Sequence, residues 1–138
     1  MLTWSLFIIK PDAVRRNKVG EILCCLESED FEIRKLKMID EADRCDVLRH
    51  YAVHRRKDFF GPLTRTLIGQ RIVVGAACYR AIPENSVARL RAVVGPYKDP
   101  GPATIRGVFA VSEMENSMHS SDSDDAAMTE TLIWFPEG

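Results

Sequence analysis

The run Ile-Val-Val-Gly-Ala-Ala-Cys at residues 72–78 contains no polar or charged side chain other than a thiol and has the length of a strand. A continuous apolar run this short predicts a strand that is buried on both faces. Residues 3–9 and 31–39 are rich in bulky or β-branched apolar residues and predict two more strands. Residues 107–111 predict a short fourth strand.

Apolar residues at helical spacing separate and follow these strands. They predict five helices, over residues 19–28, 41–53, 58–68, 83–93 and 123–135. The order is then β-α-β-(αα)-β-α-β-α, and without the inserted helix pair it is βαββαβ, the ferredoxin-like motif. We therefore predict an α+β sandwich with a four-stranded antiparallel sheet, an inserted helix pair and a C-terminal helix. Helices on one face of the sheet would give two layers.

Length and composition exclude several classes of protein. The 138 residues suit one domain over residues 1–138. We expect no membrane association, since no apolar run approaches the ~20 residues of a membrane helix and the start does not resemble a secretory signal. The net charge of −1 argues against a general nucleic-acid binder. Four cysteines without a CxxC pair favour reduced thiols in a cytoplasmic protein.

The small net charge hides an uneven distribution. Residues 1–106 hold all 19 basic residues and 13 acidic ones, whereas residues 107–138 hold seven acidic residues and no Lys or Arg. A solvated acidic helix or tail is the simple interpretation of the second part. An asymmetry of this kind between parts of a chain can also be functional.

Two of the three histidines, His50 and His54, lie four residues apart on a predicted helix. Metal ligands often have this spacing, but the Glu of an HExxH motif is absent and no obvious third ligand follows. The preferred interpretation is that they are surface or structural histidines.

His119 follows Asn116-Ser117-Met118 and precedes the last predicted helix, whose N-terminus Ser121 or Ser123 can cap. The residues alone leave it open whether His119 is a nucleophile, a base or a loop residue. Glu130 lies inside that helix and is placed to orient an imidazole. A neutral imidazole is a competent nucleophile near pH 7 when a partner holds its other nitrogen.

Three basic residues lie near predicted turns and loops, namely Lys10, Arg91 and Arg106. Cations at several points are what phosphate recognition requires, and the guanidinium fork of Arg matches phosphate oxygens. Each residue taken singly is equally consistent with a solvated surface charge. The chain has neither a GxxxxGK[ST] loop nor a GxGxxG motif, which argues against P-loop, Rossmann and protein-kinase nucleotide sites.

Three blocks of sequence together resemble the nucleoside diphosphate kinase family. They are Ile9-Lys10-Pro11-Asp12-Ala13-Val14 with Gly20-Glu21-Ile22-Leu23, then Thr104-Ile105-Arg106-Gly107-Val108-Phe109, and Asn116-Ser117-Met118-His119-Ser120-Ser121-Asp122-Ser123. Weaker support comes from His50-Tyr51 followed by Phe59-Phe60, and from Arg91 before Gly95-Pro96. The resemblance covers nearly the whole chain in order and favours a catalytic role for His119 over the loop interpretation.

The resemblance implies ping-pong transfer of a γ-phosphoryl group from a nucleoside triphosphate to a nucleoside diphosphate through a phosphohistidine. It implies that His119 is the nucleophile, that Glu130 holds its ring, and that Ser121 supports the pair. Lys10 and Tyr51 would line the phosphoryl site.

The same resemblance implies the substrate contacts. Lys10 and Asn116 would contact sugar hydroxyls and phosphates, Phe59 would stack on the base beside Leu63, and Arg91 and Arg106 would hold the outer phosphates. Mg²⁺ would be carried by the nucleotide phosphates and water, without a protein metal site. Nucleoside di- and triphosphates are the expected partners, together with further copies of the chain in a homo-oligomer.

The chain also departs from the family pattern. Ser120 stands where Gly usually follows the histidine, and Tyr97-Lys98-Asp99-Pro100 replaces a segment with a phosphate-binding Thr. A left-handed conformation at Ser120 would be strained by ~1–3 kcal/mol. These changes keep a weakly active or inactive nucleotide-binding or scaffold member as an alternative. An RNA or regulatory module is a further alternative, although no aromatic pair of the RNP type occurs on a predicted strand.

Overall fold

The computed structural model describes residues 3–137, so residues 1, 2 and 138 of the predicted domain lie outside the described residues. Its strands are β1 (Ser5–Ile9), β2 (Phe31–Ile39), β3 (Ile72–Tyr79) and β4 (Met118–Ser120). Its α-helices are α1 (Pro11–Arg15), α2 (Val19–Ser28), α3 (Arg44–His50), α4 (Phe60–Arg65), α5 (Ser86–Val94), α6 (Ile105–Phe109) and α7 (Asp124–Trp134). Short 3₁₀ turns, Ala52–His54 and Pro83–Asn85, follow α3 and precede α5.

The four strands form one antiparallel sheet in the order β2-β3-β1-β4. This order confirms the predicted ferredoxin-like arrangement. The apolar run at 72–78 makes up most of β3, which pairs with both β1 and β2. At the edge, β4 pairs with β1 and places His119 opposite Ile8.

Helices cover both faces of the sheet, so the expectation of two layers is wrong. Side chains alternate along β1: Phe7 and Ile9 join a core cluster with residues of α2, α5 and α6, whereas Leu6 and Ile8 join a second cluster with residues of α3 and α7. Every side chain of β1 is buried, because the strand is apolar on both sides and needs a cover on each. The inserted helices and α7 provide the second cover.

The fourth strand was predicted in the wrong place. Residues 107–111 do not form a strand, because α6 occupies Ile105–Phe109 and the strand that completes the sheet is β4. The Thr104 side chain caps α6 by accepting a hydrogen bond from the Gly107 N–H at 3.0 Å. Ile105 and Phe109 lie four residues apart and bury one face of this short helix in the core.

The inserted helices are shorter than predicted. Residues 41–53 contain only α3 and a 3₁₀ turn, and residues 58–68 contain only α4. The Asp43 side chain begins α3 by accepting from the Asp46 N–H at 3.2 Å. The helix ends at His50, and Tyr51 follows, so both aromatic rings project from the end of α3 toward the edge of the sheet that carries β4. Among residues 3–137, no helix is long and apolar enough to cross a membrane.

Candidate active site

His119 lies in the middle of β4, and its ring is held on one side. Its Nε2 lies 3.2 Å from Glu130 Oε1 on α7 and 3.0 Å from His50 Nε2 at the end of α3. The side chain is 15% exposed. A nucleophile with one nitrogen held by partners and a small exposed surface is the arrangement that histidine catalysis requires.

Glu130 and Ser121 form the support beneath the ring. The Ser121 hydroxyl donates to Glu130 Oε1 at 2.8 Å, and its oxygen accepts from the backbone N–H of Leu6 at 3.2 Å. Burial raises the pKa of Glu130, while the neighbouring His50 and the hydrogen bond from Ser121 lower it. The hydroxyl therefore links the backbone of β1 to the carboxylate that contacts His119. The cap of α7 comes from Ser123, which accepts from the Ala126 N–H.

His50 is the site residue that sequence reasoning missed. The sequence groups it with His54 as a surface or structural histidine, yet its side chain is fully buried and contacts His119. Its Nδ1 accepts a hydrogen bond from Trp134 Nε1 at 2.9 Å. Burial lowers the pKa of His50 to about 3, and the neighbouring His119 acts in the same direction. The only sequence signal was its position directly before Tyr51 in the family-like block.

Within the described residues, His50, His119 and Glu130 are the one group that brings three ligand atoms within 4.8 Å of one another. Two ring nitrogens and a carboxylate suit a transition metal better than Mg²⁺, which prefers oxygen ligands. The indole N–H of Trp134 occupies His50 Nδ1, so the proton of the neutral ring must lie on Nε2. That nitrogen has no lone pair to offer, and the group fits a hydrogen-bond network rather than a metal centre.

Lys10 and Asn116 lie together beside the start of β4. Lys10 directly follows β1 and is 2% exposed. Its Nζ donates to Asn116 Oδ1 at 3.2 Å and to the Met114 carbonyl at 2.8 Å. Burial lowers the pKa of Lys10 to about 8, with Asp12 opposing and Arg106 adding to that shift.

Arg106 fastens α6 to β4. Its Nη2 and Nε donate to the Met118 carbonyl at 2.7 and 3.2 Å, and its Nη1 donates to the Gly95 carbonyl at 3.0 Å. Burial lowers the pKa of this guanidinium. Because Met118 precedes His119 on the strand, Arg106 places a positive charge next to the ring.

Arg91 is more exposed than Arg106 and has an acidic partner that sequence reasoning did not anticipate. Its Nε lies 3.8 Å from an Asp122 carboxylate oxygen, and its side chain is 56% exposed. An ion pair this exposed contributes little to stability, so Arg91 is free to exchange Asp122 for another anion.

Tyr51 packs against His119. Its ring lies edge-on to the His119 ring, with centroids 5.8 Å apart and an interplanar angle of 79°. The side chain is buried, and burial raises the pKa of its hydroxyl above the ordinary value. Tyr51 therefore remains a neutral phenol near neutral pH.

Phe59 and Leu63 lie farther out, at the start of α4. They are one helical turn apart, and the Leu63 N–H donates to the Phe59 carbonyl at 2.9 Å. Phe59 is 41% exposed, and its ring centroid lies 5.3 Å from that of His54. Leu63 packs against the core cluster on the second face of the sheet. The Phe59 ring is thus partly exposed, with Lys57 Nζ 5.6 Å from its centroid, while its neighbour anchors the helix.

Ser120 is unstrained in this structure. Among residues 3–137, the non-glycine residues with positive φ are Asn17, Asp30, Asp99 and Ser117, so Ser120 is accommodated in β4 without a left-handed conformation. The strained position is Ser117, at φ 68°. Its N–H donates to Asp12 Oδ2 at 3.0 Å and its carbonyl accepts from the Lys10 N–H at 2.9 Å, which holds this conformation in place.

Comparisons with known proteins give one family. The family model described as nucleoside diphosphate kinase matches residues 4–138. A nucleoside diphosphate kinase of Sulfolobus acidocaldarius is 39% identical over 132 residues, which cover 94% of this chain and 88% of the relative. One of Corynebacterium jeikeium is 37% identical over 135 residues, which cover 96% of each. The crystal structure of the Aquifex aeolicus nucleoside diphosphate kinase superposes with a TM-score of 0.87 at 29% identity, covering 96% of this chain and 94% of that one.

Proposed function

The chain belongs to the nucleoside diphosphate kinase family, and we propose that His119 is the residue that carries the phosphoryl group in its reaction. The protein is a nucleoside diphosphate kinase, which transfers the γ-phosphoryl group of a nucleoside triphosphate to a nucleoside diphosphate in a ping-pong reaction through a phosphohistidine. The observation that carries the assignment is the ring of His119, held at Nε2 by Glu130 and partly open to solvent.

The geometry supports Nδ1 of His119 as the attacking atom. Nε2 of His119 faces Glu130 and His50, so Nδ1 is the nitrogen left for the substrate. The Nδ1 lone pair forms a bond to the γ-phosphorus while the bond to the bridging oxygen breaks, and the diphosphate leaves with that electron pair. Glu130 balances the positive charge that develops on the ring by accepting the hydrogen bond from Nε2–H. In the second half-reaction a terminal oxygen of the acceptor diphosphate attacks the same phosphorus and releases Nδ1.

The imidazole is neutral before the reaction. Burial lowers the pKa of His119 to about 3, with Arg106 and Lys10 acting in the same direction and Asp122 opposing. A neutral ring keeps the lone pair that attack requires, so the environment that binds phosphate also prepares the nucleophile.

The phosphate-binding groups are Lys10, Asn116, Arg106 and Arg91. Phosphoryl transfer depends mainly on positioning and on stabilisation of charge over the phosphoryl oxygens. Lys10 and Arg106 are held by carbonyl and amide oxygens, which fixes their charges in place before substrate arrives. Tyr51 lines the same space as a neutral hydroxyl.

The base would stack on the partly exposed ring of Phe59, with Leu63 anchoring the helix beside it. Stacking tolerates every base because each has a π-face, so we expect broad base specificity.

The family implies a divalent cation, and we infer that it is Mg²⁺ bound to the nucleotide. Mg²⁺ keeps several waters and commonly binds phosphate oxygens rather than a protein cage. It neutralises charge on the phosphates when bound. Lys10 and Arg106 would act beside it, because their positive charges would stabilise phosphate oxygens that the cation does not contact.

Three broader properties complete the proposal, namely one domain over the whole chain, a homo-oligomer and a cytoplasmic location. Leu36 and Met38 are 47% and 54% exposed on β2, an edge strand, and an apolar sheet edge of this kind supports association. The free thiols of Cys24, Cys25, Cys45 and Cys78 support a reducing compartment.

Phosphoenzyme formation tests the assignment. Incubation with γ-labelled ATP and Mg²⁺ should give acid-labile, base-stable label on the wild-type protein, and added nucleoside diphosphate should discharge it. His119→Ala should give no label. Ser120→Gly is the matched control and should be labelled fully, because Ser120 occupies a regular strand position next to the nucleophile.

Undiminished label on His119→Ala would overturn the assignment. A wild-type protein that binds nucleotide, without label or turnover, would support the inactive scaffold instead. The unstrained Ser120 removes one of the two sequence features that motivated that alternative.

A further inference from the structure

We propose that His50 is a positioning residue that decides which nitrogen of His119 carries the proton, and that Trp134 fixes His50 in this role. The proposal rests on the proposed function, in which Nδ1 of His119 is the attacking atom. It concerns a residue outside the family-like assignments given above, and it follows from three contacts around two imidazole rings.

The first contact fixes the proton of His50. An indole N–H can only donate, and Trp134 Nε1 lies 2.9 Å from His50 Nδ1. Nδ1 therefore accepts and carries no proton. A doubly protonated ring would place two N–H groups against each other, so this contact also keeps His50 neutral. The one proton of His50 is left on Nε2.

The second contact directs that proton. His50 Nε2 lies 3.0 Å from His119 Nε2 but 3.9 Å from Glu130 Oε2. A donor at 3.0 Å requires an acceptor, so His119 Nε2 presents its lone pair to His50 in this arrangement. The proton of the neutral His119 ring then lies on Nδ1, which is the atom that must be unprotonated for attack.

The third contact favours the opposite tautomer. Glu130 Oε1 lies 3.2 Å from the same His119 Nε2, and an ionised carboxylate accepts a proton there rather than facing a lone pair. His50 and Glu130 therefore compete for one nitrogen. When His50 donates to His119 Nε2, the proton of His119 lies on Nδ1 and the ring is unreactive. When Glu130 accepts from His119 Nε2–H, Nδ1 carries no proton and is free to react.

The two oxygens of Glu130 allow the change between these states. Oε1 already accepts from Ser121 and lies beside His119, whereas Oε2 lies on the side of His50. In the second state, the Nε2–H of His50 donates its hydrogen bond to Glu130 Oε2 instead of to His119. His119 Nε2 can then hold a proton and donate it to Glu130 Oε1. The tautomer change moves one proton from Nδ1 to solvent and one from solvent to Nε2, so the charge of the ring is unchanged.

Ring-nitrogen NMR of the free, ¹⁵N-labelled protein tests this directly, because long-range proton–nitrogen correlations distinguish the two tautomers of each histidine. At pH 7 we expect His50 with its proton on Nε2 and His119 mainly with its proton on Nδ1. In Trp134→Phe the aromatic ring remains but the donor is lost. We expect His50 to change from one dominant tautomer to a mixture, and the Nε2–H form of His119 to increase with it.

Trp4→Phe is the matched control. The Trp4 indole N–H is likewise a hydrogen-bond donor, but its acceptor is Thr131 Oγ1 at 3.3 Å, whereas the acceptor of Trp134 is His50 Nδ1. This variant should keep the wild-type tautomers of both histidines. A wild-type His50 with its proton on Nδ1 would overturn the proposal, and so would a His119 tautomer ratio that Trp134→Phe leaves unchanged.

The test is separate from that of the proposed function. The tautomers are measured without nucleotide. If the wild-type spectrum is as expected but His119→Ala is still labelled, His119 is rejected as the nucleophile. The contact between His50 and His119 is supported all the same. The wild-type spectrum also tests the contact if Trp134→Phe fails to fold.

Discussion

At the scale of single residues, the reactivity of His119 is a property of its neighbours. The sequence identified His119 and its partner Glu130, since both lie in one short stretch and have the types that histidine catalysis needs. It did not identify the role of His50, which reaches the nucleophile across 69 residues of chain. Only the fold brings these rings together, and only the indole of Trp134 fixes the proton between them.

Replacement of Ser121 tests the support beneath the ring. In Ser121→Ala the buried N–H of Leu6 loses its acceptor and Glu130 loses a donor. We expect the free energy of unfolding to fall by ~1–3 kcal/mol, measured by urea denaturation. We also expect slower phosphorylation in a single turnover, because the Glu130 carboxylate is less firmly held.

The neighbouring serine is the control for that experiment. Ser120→Ala removes a hydroxyl one residue away, for which the part of the chain described here shows no side-chain hydrogen bond. Because no side-chain hydrogen bond is lost, we expect its unfolding free energy to fall by less than that of Ser121→Ala and its phosphorylation rate to be unchanged. Equal effects of the two substitutions would contradict the role given to Ser121.

At the scale of elements, apolar pattern located the long strands but could not assign the short ones. β2 and β3 are long enough for their amino-acid composition to identify them as strands. The segment at 107–111 has the composition of a strand, yet Thr104 caps a helix there and the apolar pair Ile105 and Phe109 fits helical spacing equally well. β4 has only three residues, and its pairing with β1 is a tertiary contact that no local pattern records.

Gly75 shows how closely β3 approaches its neighbours. A Cβ at this position would overlap the Phe7 ring and lie 2.8 Å from the Lys35 carbonyl oxygen. Neither the buried ring nor the paired backbone can move away easily. We therefore expect Gly75→Ala to lower the unfolding free energy by ~1–3 kcal/mol, seen as a lower denaturation midpoint.

Gly20→Ala provides the comparison for that substitution. Gly20 lies in α2, and a Cβ there meets nothing within 4 Å. Because alanine also has the higher helix propensity, we expect no loss of stability and a gain of at most ~1 kcal/mol. If Gly75→Ala were equally well tolerated, the close packing of β1 on β3 would be disproved.

At the scale of the whole molecule, the two parts of the charge distribution meet at the site. Lys10 and Arg106 come from the basic part of the chain, whereas His119, Asp122 and Glu130 come from the acidic part. The net charge of −1 therefore says little about what the protein binds. The interpretation of the last residues as only a solvated acidic helix holds for Asp124 and Asp125, which are exposed at the start of α7.

The buried histidines should make stability depend on pH. The pKa values of His50 and His119 fall from 6.5 to about 3 on folding, so between these pH values the unfolded chain binds more protons than the folded one. Stability should decrease as the pH falls below ~6.5, by on the order of 1 kcal/mol per pH unit for each histidine at most. The raised pKa of Glu130 opposes this trend at lower pH.

Urea denaturation between pH 7.5 and ~5 measures this dependence. His119→Gln removes one of the two titrating rings and should give a shallower slope than wild type. Constant or rising stability of the wild-type protein over this range would show that the histidines are not buried as neutral rings.

The pairing of β4 with β1 also decides when the protein becomes an enzyme. The contact between Leu6 and Ser121 spans 115 residues. His119 contacts Glu130 on the last helix, and its neighbour His50 contacts Trp134 on the same helix. Contacts this distant along the chain form late, after the local helices. A growing polypeptide on the ribosome cannot close the site before residue 134 has emerged, so phosphoryl-transfer activity reports that synthesis and folding of the whole sheet are complete.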